Sequence, residues 1–285
     1  MRLIQPKVEI IEQSPGIPGM YDAIARAAST CYKSRAKTGE EAMEFTRKLM
    51  RNRHTAMLEF GTVYLKVPVE VWRQDEHEWE YMFPEDLPWI QRNCDGQFHY
   101  ITTNFRHILN GWVGFKAMEA YWSEPEEPHI KRYTALFTIS IGTAREFTRH
   151  RAFSFAQEST RYCNYSKDKF QNSVTFIIPS WSNDIVPTTE YDLDDYFGKE
   201  ATFIQGLHWA EENYLDMIAE GASAQEAREV LPLATKSELC MCGFEEDWSH
   251  FFDLRMRGIT GAPHPDAQFI ADKLWEQFKK KGINL

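Results

Sequence analysis

Apolar residues recur along the chain with two spacings, and each spacing predicts a different kind of secondary structure. Alternation of apolar and polar side chains predicts strands over residues 7–11, 63–67, 135–141 and 174–180. Spacings of three and four predict helices that begin near residues 20, 40, 103, 143, 194, 224, 236 and 265. We expect the strand at 135–141, which has one fully apolar face, to pair antiparallel with the strand at 63–67. This pattern predicts an α+β fold (mixed α/β) with a central antiparallel twisted sheet flanked by long helices.

Length and composition restrict the class of protein. The 285 residues are 43% hydrophobic and 14% aromatic, and we expect them to form a single globular domain over 1–285. The net charge of −10 argues against nucleic-acid binding, because that function needs a basic face. No stretch approaches the ~20 apolar residues that span a bilayer, and the N-terminus lacks the apolar core of a signal peptide. We therefore expect neither a nucleic-acid partner nor a membrane.

The cysteines indicate a reducing compartment. There are five, and they follow no disulfide spacing, at positions 31, 94, 163, 240 and 242. Reduced thiols and a cytoplasmic location are the simplest interpretation. Cys240 and Cys242 lack the two-residue gap that is common in zinc sites, so we predict no metal.

The stretch from Arg149 to Arg161 concentrates three arginines and a histidine in an otherwise acidic chain. Grouped guanidiniums repel one another unless anions offset their charge. Their planar forks match phosphate oxygens, which favours a pocket for a phosphorylated small molecule. The alternative is a surface lattice of salt bridges with Glu146 and Glu158. Arg149 and Arg151 would point apart on a helix, so either the helix ends before them or they bind different anions.

A second arginine of interest is Arg255, which continues an apolar stripe in the helix predicted from about Lys236. That stripe consists of Met241, Phe244, Trp248 and Phe251. An arginine on a core-facing stripe needs a carboxylate, a carbonyl or a bound anion. Alternatively, its guanidinium reaches water beside the C-terminal end of the helix.

The order of residues in the arginine-rich stretch resembles the signature of the flavin-dependent thymidylate synthases, Arg-His-Arg-x2-Ser-x-Asn-x2-Ser-x-Arg. Six of its seven positions match, at Arg149, His150, Arg151, Ser154, Ser159 and Arg161. Three other segments resemble family elements. They are His54 to Glu59, Ala227 to Leu233 with Arg228, and Phe251 to Arg255.

The resemblance implies a reductive methylation of dUMP to dTMP. Methylenetetrahydrofolate would donate the carbon, NADPH would reduce FAD, and the reduced flavin would supply a hydride. A covalent enzyme adduct is then unnecessary, and the arginines around Ser159 are not bases that could activate it. We therefore expect Ser159 to bind and not to attack. The family also implies a homotetramer with sites shared between subunits.

The resemblance assigns a role to each matching residue. Arg255 is the implied catalytic residue, since a fixed cation would stabilise ionisation of the uracil N3. The residues implied to bind dUMP are Arg149, Glu158, Ser159, Thr160, Arg161, Arg228 and Arg255. Those implied to bind FAD are His54, Glu59, Arg149, His150, Arg151, Ser154 and Glu158.

Some positions depart from the family pattern, and these leave a second hypothesis open. They are Ala56, Ala156, Glu146, Glu246 and His250. The alternative is a non-catalytic or divergent paralogue that still binds a pyrimidine nucleotide but has lost part of its flavin site.

Residues 69–133 form an apparent insertion, because shorter family members pass almost directly from the first strand to the signature strand. The segment holds five of the nine tryptophans, and we predict a helix within it near 103–120. So many aromatic side chains need to be buried. We therefore expect a packed subdomain or a subunit contact, and an active-site lid is the alternative.

Overall fold

The computed structural model describes residues 1–110, 114–190 and 192–285. The strands are β1 (Arg2–Ile4), β2 (Lys7–Ile11), β3 (Thr62–Pro68), β4 (Gln91–Cys94), β5 (Phe98–Asn104), β6 (Arg132–Ser140), β7 (Ser154–Gln157), β8 (Thr175–Ile177) and β9 (Lys236–Phe244). The helices are α1 (Gly16–Tyr32), α2 (Gly39–Arg51), α3 (Val69–Gln74), α4 (Glu76–Met82), α5 (Phe105–Asn110), α6 (Gly114–Tyr121), α7 (Ile141–Phe147), α8 (Gly198–Ala219), α9 (Ala224–Ala227), α10 (Glu245–Phe252) and α11 (Pro265–Lys280). None of the described helices combines the length and apolar character that a membrane crossing requires.

The centre of the fold is a four-stranded antiparallel sheet with strand order β2-β6-β9-β7. Strands β6 and β9 pair along their whole length, from Arg132 opposite Phe244 to Ser140 opposite Lys236. The short strand β7 pairs with the other edge of β9. This arrangement confirms the predicted α+β class with a central antiparallel sheet.

Helices cover both faces of this sheet, because successive residues of β9 point to opposite sides. Leu239 and Met241 join an aromatic core with α7, α10 and α11. Cys240 and Cys242 face the other way, where they pack with Ala27 of α1. The long helices α1 and α11 therefore flank the sheet as expected.

Two details of the predicted pairing and secondary structure are wrong. Strand β3 pairs with β5 and not with the strand at 135–141, because both edges of that strand (β6) are occupied by β2 and β9. Residues 236–244 form a strand and not the start of a helix. The helix begins only at Glu245. Because β9 is buried on both faces, its apolar residues lack the alternation that marks a half-buried strand.

The segment 69–133 packs against the N-terminal part of the chain. It contributes β4 and β5 to a second sheet of order β3-β5-β4. Trp72 and Trp79 stack on each other with ring centroids 5.4 Å apart and join a core with α1 and α2. The helix predicted near 103–120 corresponds to α5 and α6, and its residues 111–113, including Trp112, lie outside the described residues.

Candidate functional site

The arginine-rich signature runs through the turn that links α7 to β7. Ser140 caps α7, since its hydroxyl accepts a hydrogen bond from the Thr143 backbone N–H at 3.0 Å. The helix ends at Phe147, so Arg149 and Arg151 lie in a turn and not on a helix face. Both side chains are exposed, and neither forms a hydrogen bond or ion pair with a described residue. A surface lattice of salt bridges is therefore not what holds them.

A cavity of about 480 Å³ lies where the signature turn meets the second sheet. Two segments implied by the resemblance converge there, Glu59 from one and Arg151 and Ser154 from the other. The remaining lining residues are Pro88, Trp89, Asn104, Arg106, His107, Asn110, Arg132, Ala152, Phe153, Gly243 and Phe244. We call this space the main cavity.

Positive charge exceeds negative charge around the main cavity. Arg106 forms an ion pair with Glu59. Arg132 donates from Nη1 to the Glu59 carbonyl oxygen at 3.1 Å and to Thr62 Oγ1 at 3.3 Å. Its buried Nε has no hydrogen-bond partner among the described residues. With Arg151, three guanidiniums line the cavity against one carboxylate, so the space suits an anion.

Aromatic side chains form part of the cavity wall. The His107 Nε2 lies 2.7 Å from the Met82 carbonyl oxygen, and its Nδ1 lies 3.3 Å from the Trp89 Nε1, which donates to it. Burial lowers the pKa of His107, so the ring is neutral at pH 7 with its proton on Nε2. In another part of the wall Phe153 packs closely on Gly243, where a Cβ atom would lie 2.7 Å from the Phe153 ring.

A second cavity of about 300 Å³ lies beside the first and shares the residues Arg151 to Phe153 with it. We call it the Arg255 cavity. Its other lining residues are Arg149, His150, Asp247, His250, Leu254 and Arg255. A single turn therefore connects the two cavities.

Arg255 is held by two partners at the edge of this second cavity. Its guanidinium donates to Glu146 Oε2 at 3.0 Å, to the Glu146 carbonyl oxygen and to His150 Nε2 at 2.9 Å. The side chain is 14% exposed, so Arg255 has found a carboxylate and a carbonyl, and it does not reach out to water. Burial, followed by the electrostatic effects of Arg255 and then His250, lowers the pKa of His150 to about 4. His150 is therefore a neutral acceptor for Arg255 at pH 7.

The last part of the signature lies at the other end of β7, away from both cavities. The buried Glu158 carboxylate is paired with Lys236 at the start of β9, and Lys236 also lies 3.6 Å from Glu238. The backbone N–H of Ser159 donates to the Cys31 carbonyl oxygen at 3.0 Å. Arg161 donates from Nε to Gln225 Oε1 at 2.9 Å. Gln225 is three residues before Arg228 in the chain, so this contact links Arg161 to the segment that carries Arg228.

The predicted site residues therefore fall into separate groups within one chain. Glu59, Arg151 and Ser154 line the main cavity. The Arg255 cavity is lined by Arg149, His150, Arg151 and Arg255. Glu158, Ser159, Thr160, Arg161 and Arg228 line neither cavity. His54 is exposed and lines neither cavity. Among the described residues, no cluster of His, Cys, Asp and Glu side chains has the composition of a metal site.

Sequence reasoning missed several residues that the fold brings to these groups. They are Trp89, Arg106, Arg132 and Lys236. No spacing in the sequence links them to the signature, because their positions depend on the pairing of β3 with β5 and of β7 with β9. The one signal available was that Arg132 and Lys236 are charged residues that each stand three residues before an apolar run, which begins at Ala135 and at Leu239.

Comparison with known proteins places this geometry in context. The family model described as "Thymidylate synthase complementing protein" matches residues 127–281, more than half of the chain. A flavin-dependent thymidylate synthase of Synechocystis sp. is 26% identical over 163 residues, which cover 56% of this chain and 72% of that protein. A probable flavin-dependent thymidylate synthase of Paramecium bursaria Chlorella virus 1 is 27% identical over 139 residues, or 47% of this chain and 62% of that protein. The crystal structure of a UMP/dUMP methylase PolB from Streptomyces cacaoi, bound with 5-Br dUMP, aligns with a TM-score of 0.45 and 18% identity over 98% of this chain and 93% of that chain.

Proposed function

The chain belongs to the thymidylate synthase complementing protein family, and we propose that it methylates dUMP to dTMP as a flavin-dependent enzyme. Methylenetetrahydrofolate would supply the carbon and, with NADPH as reductant, leave as tetrahydrofolate. The proton at uracil C5 would be released and the new carbon would become the methyl group. FAD would carry the reducing equivalents from NADPH.

The observation that supports this most directly is the meeting of two distant segments in the main cavity. Glu59 and Arg151 lie more than ninety residues apart in sequence, yet both line it. Each belongs to a segment that resembles a cofactor-contacting element of the family. A solvated charged face would give no reason for the two segments to share one concave space.

The lining residues fit a flavin dinucleotide. Arg151 and Arg106 offer donors for phosphate oxygens, and Arg132 adds a third positive charge. Phe153 and Trp89 offer flat apolar surface for a ring system. We propose that Glu59, Arg151 and Ser154 hold FAD in this cavity. Arg149 and His150 would contact it from the adjoining turn, and the exposed His54 would do so from a neighbouring subunit. The bound flavin would supply hydride chemistry that no side chain provides.

We propose that dUMP binds against Arg255. A guanidinium beside the uracil stabilises the negative charge that develops on N3 and the carbonyl oxygens. Glu146 competes for the same guanidinium, so binding of dUMP would require Arg255 to exchange one of its hydrogen bonds with Glu146. Arg149 would complete the positive charge next to it.

A homotetramer with shared sites explains the separation of the two ends of the signature. Strand β7 has four residues, which at about 3.3 Å per residue span roughly 13 Å. Arg161 and Arg228 would therefore serve a site completed by another copy of the chain, where Ser159 and Thr160 would add polar contacts. Exposed large apolar residues such as Phe197 and Trp209 give the surface that such an assembly needs. The five cysteines are free, which supports a cytoplasmic, reducing location.

Purified protein tests this function. We expect a yellow protein that oxidises NADPH only when dUMP is present and that yields dTMP when methylenetetrahydrofolate is added. UMP, assayed in parallel, tests whether the ribose 2′-hydroxyl is tolerated. Colourless protein that binds dUMP without flavin would instead support the paralogue hypothesis, which the Glu146–Arg255 ion pair favours because it neutralises the proposed catalytic cation.

A further inference from the structure

The segment 69–133 supplies about half of the wall of the main cavity. Strand β5 ends at Asn104, and α5 follows it at once, so that Arg106 and His107 face the cavity. Pro88 and Trp89 approach from the loop before β4. The signature and Glu59 provide the other side. The segment 69–133 therefore forms part of the cavity wall.

Two of the three guanidiniums in the cavity also come from this segment. Arg106 is 40% exposed at its side chain and is paired with Glu59, which is 26% exposed. Arg132 is 8% exposed as a residue, and its Nε has no partner among the described residues. A buried donor without a partner is unfavourable by itself. Because this donor is buried, Arg132 would act on a bound phosphate through its charge, and Arg106 would supply the hydrogen bonds.

Trp89 adds a flat surface at the cavity mouth. Its ring is fixed by the hydrogen bond from Nε1 to His107 Nδ1, and His107 is fixed in turn by the Met82 carbonyl. The residue nevertheless stays 43% exposed, so one part of the indole is available to a ligand. An oriented, half-exposed indole next to guanidiniums suits a planar ring that carries a phosphate.

We propose that Trp89 and Arg106, with Arg132, form a binding subsite for the phosphate and an aromatic ring of a nucleotide ligand. The inference rests on the proposed function, which places FAD in this cavity; NADPH and dUMP carry the same chemistry and are compared with FAD in the test. It assigns to the segment 69–133 a direct part in ligand binding. Glu59 holds Arg106 in place in the free protein, and the phosphate takes over part of that charge when the ligand binds.

Equilibrium titration of the full-length protein with FAD, NADPH and dUMP, each followed by calorimetry, tests the subsite without any activity measurement. We expect Arg106→Gln to weaken binding of at least one of the three by about tenfold or more, because a charge-assisted hydrogen bond is lost. Arg106→Lys keeps the charge and should restore part of that loss. Trp89→Leu should weaken the same ligand about fivefold or more through lost stacking. The ligand that responds identifies the occupant.

Two control variants match these changes outside the cavity. Arg73→Gln removes an exposed guanidinium from the same segment, and Trp181→Leu removes an indole that is 41% exposed and lines neither cavity. Each should change every affinity by less than about twofold. If the wild type binds these ligands and both Arg106→Gln and Trp89→Leu leave all affinities unchanged, the subsite is wrong and the proposed function stands. If the wild type binds none of them, both proposals fail.

Discussion

His150 couples the signature to the helix that carries Arg255. It is buried, accepts the Arg255 Nε–H at 2.9 Å and lies with its ring centroid 5.2 Å from that of Phe251. This environment favours the neutral ring, because a proton on Nε2 would replace the acceptor by a donor facing a guanidinium. At the scale of single residues, the histidine therefore orients the arginine.

A pH dependence of stability follows from the lowered pKa of His150. The folded protein binds this proton with a pKa of about 4, whereas the unfolded chain binds it near 6.5. The unfolded state therefore holds more protons between these values, so the free energy of unfolding falls as pH drops from about 6.5 to about 4. The full effect is up to about 3 kcal/mol.

Urea denaturation at a series of pH values measures this effect. His150→Gln keeps an acceptor for Arg255 but cannot titrate, so its stability should depend less steeply on pH in that window. The exposed His54→Gln variant should keep the steep dependence of the wild type. Equal slopes for His150→Gln and the wild type would show that His150 does not titrate as described.

The contact between Gly243 and Phe153 predicts a second residue-scale effect. Gly243→Ala would place a methyl group 2.7 Å from the Phe153 ring, and we expect it to lower the free energy of unfolding by about 1–3 kcal/mol. Adding Phe153→Leu should recover part of that loss, because it makes room. Gly206→Ala is the control, because Gly206 is at an exposed position of α8 and no atom lies near the new methyl group. It should raise the free energy of unfolding by up to about 1 kcal/mol. A neutral Gly243→Ala, measured by the same urea titration, would contradict the close packing.

The secondary-structure predictions are confirmed where local spacing is sufficient, and they are wrong where pairing between strands changes the burial of a segment. The first strand, the N-terminal helices, the strand over 135–141 and the final helix from Pro265 follow from local spacing and are confirmed. The sequence predicts a helix from about Lys236 because Met241, Phe244 and Trp248 keep helical spacing across the boundary between β9 and α10. Burial on both faces of β9 removes the alternation that would have indicated a strand.

The candidate site likewise has one part that a local sequence pattern predicts and one part that depends on long-range strand pairing. The signature itself is a local pattern, and the sequence locates it fully. The wall formed by Trp89, Arg106 and Arg132 depends on the pairing of β3 with β5 and of β6 with β9, which no spacing reveals. The clustered arginines in the sequence predict a charged cavity. Which other arginines line that cavity depends on the order of the strands.

The ion pair between Glu158 and Lys236 ties the end of β7 to the start of β9. The Glu158 side chain is 1% exposed and that of Lys236 is 11% exposed. Lys236→Met would leave a buried carboxylate without its cation, and we expect a loss of about 3–5 kcal/mol in the free energy of unfolding. The double variant Glu158→Gln with Lys236→Met should recover at least half of that loss.

An exposed pair gives the control for this prediction. Lys279→Met removes the ammonium from a pair with Glu276 in α11, where the side chains are 49% and 57% exposed. It should cost less than about 1 kcal/mol. Similar losses for Lys236→Met and Lys279→Met in urea denaturation would mean that the pair at β7 does not anchor the signature.

At the scale of the whole molecule, the chain carries two separate groups of signature residues. One group lines the paired cavities and the other, with Arg161 and Arg228, lies beyond β7. If copies of the chain complete each other's sites, subunit mixing should restore activity. Arg151→Ala and Arg161→Ala should each be inactive alone, whereas mixed assemblies should regain roughly a quarter of the wild-type sites.

The subunit-mixing experiment can also contradict the sharing of sites between subunits. Activity of the mixture that does not exceed that of the separate variants, in assemblies shown by mass to contain both, would place each complete site within one chain. Light scattering of the wild type should give the mass of a tetramer. A monomer of 33.4 kDa would contradict the shared-site assembly directly.

Release of tritium from dUMP labelled at C5 tests the central claim most directly. The proposed reaction replaces the C5 hydrogen by a methyl group, and its reducing equivalents pass through FAD. We predict tritium release into water that requires FAD and NADPH, and formation of dTMP once methylenetetrahydrofolate is added. Protein that is loaded with FAD, binds dUMP and still releases no tritium under these conditions would contradict the account.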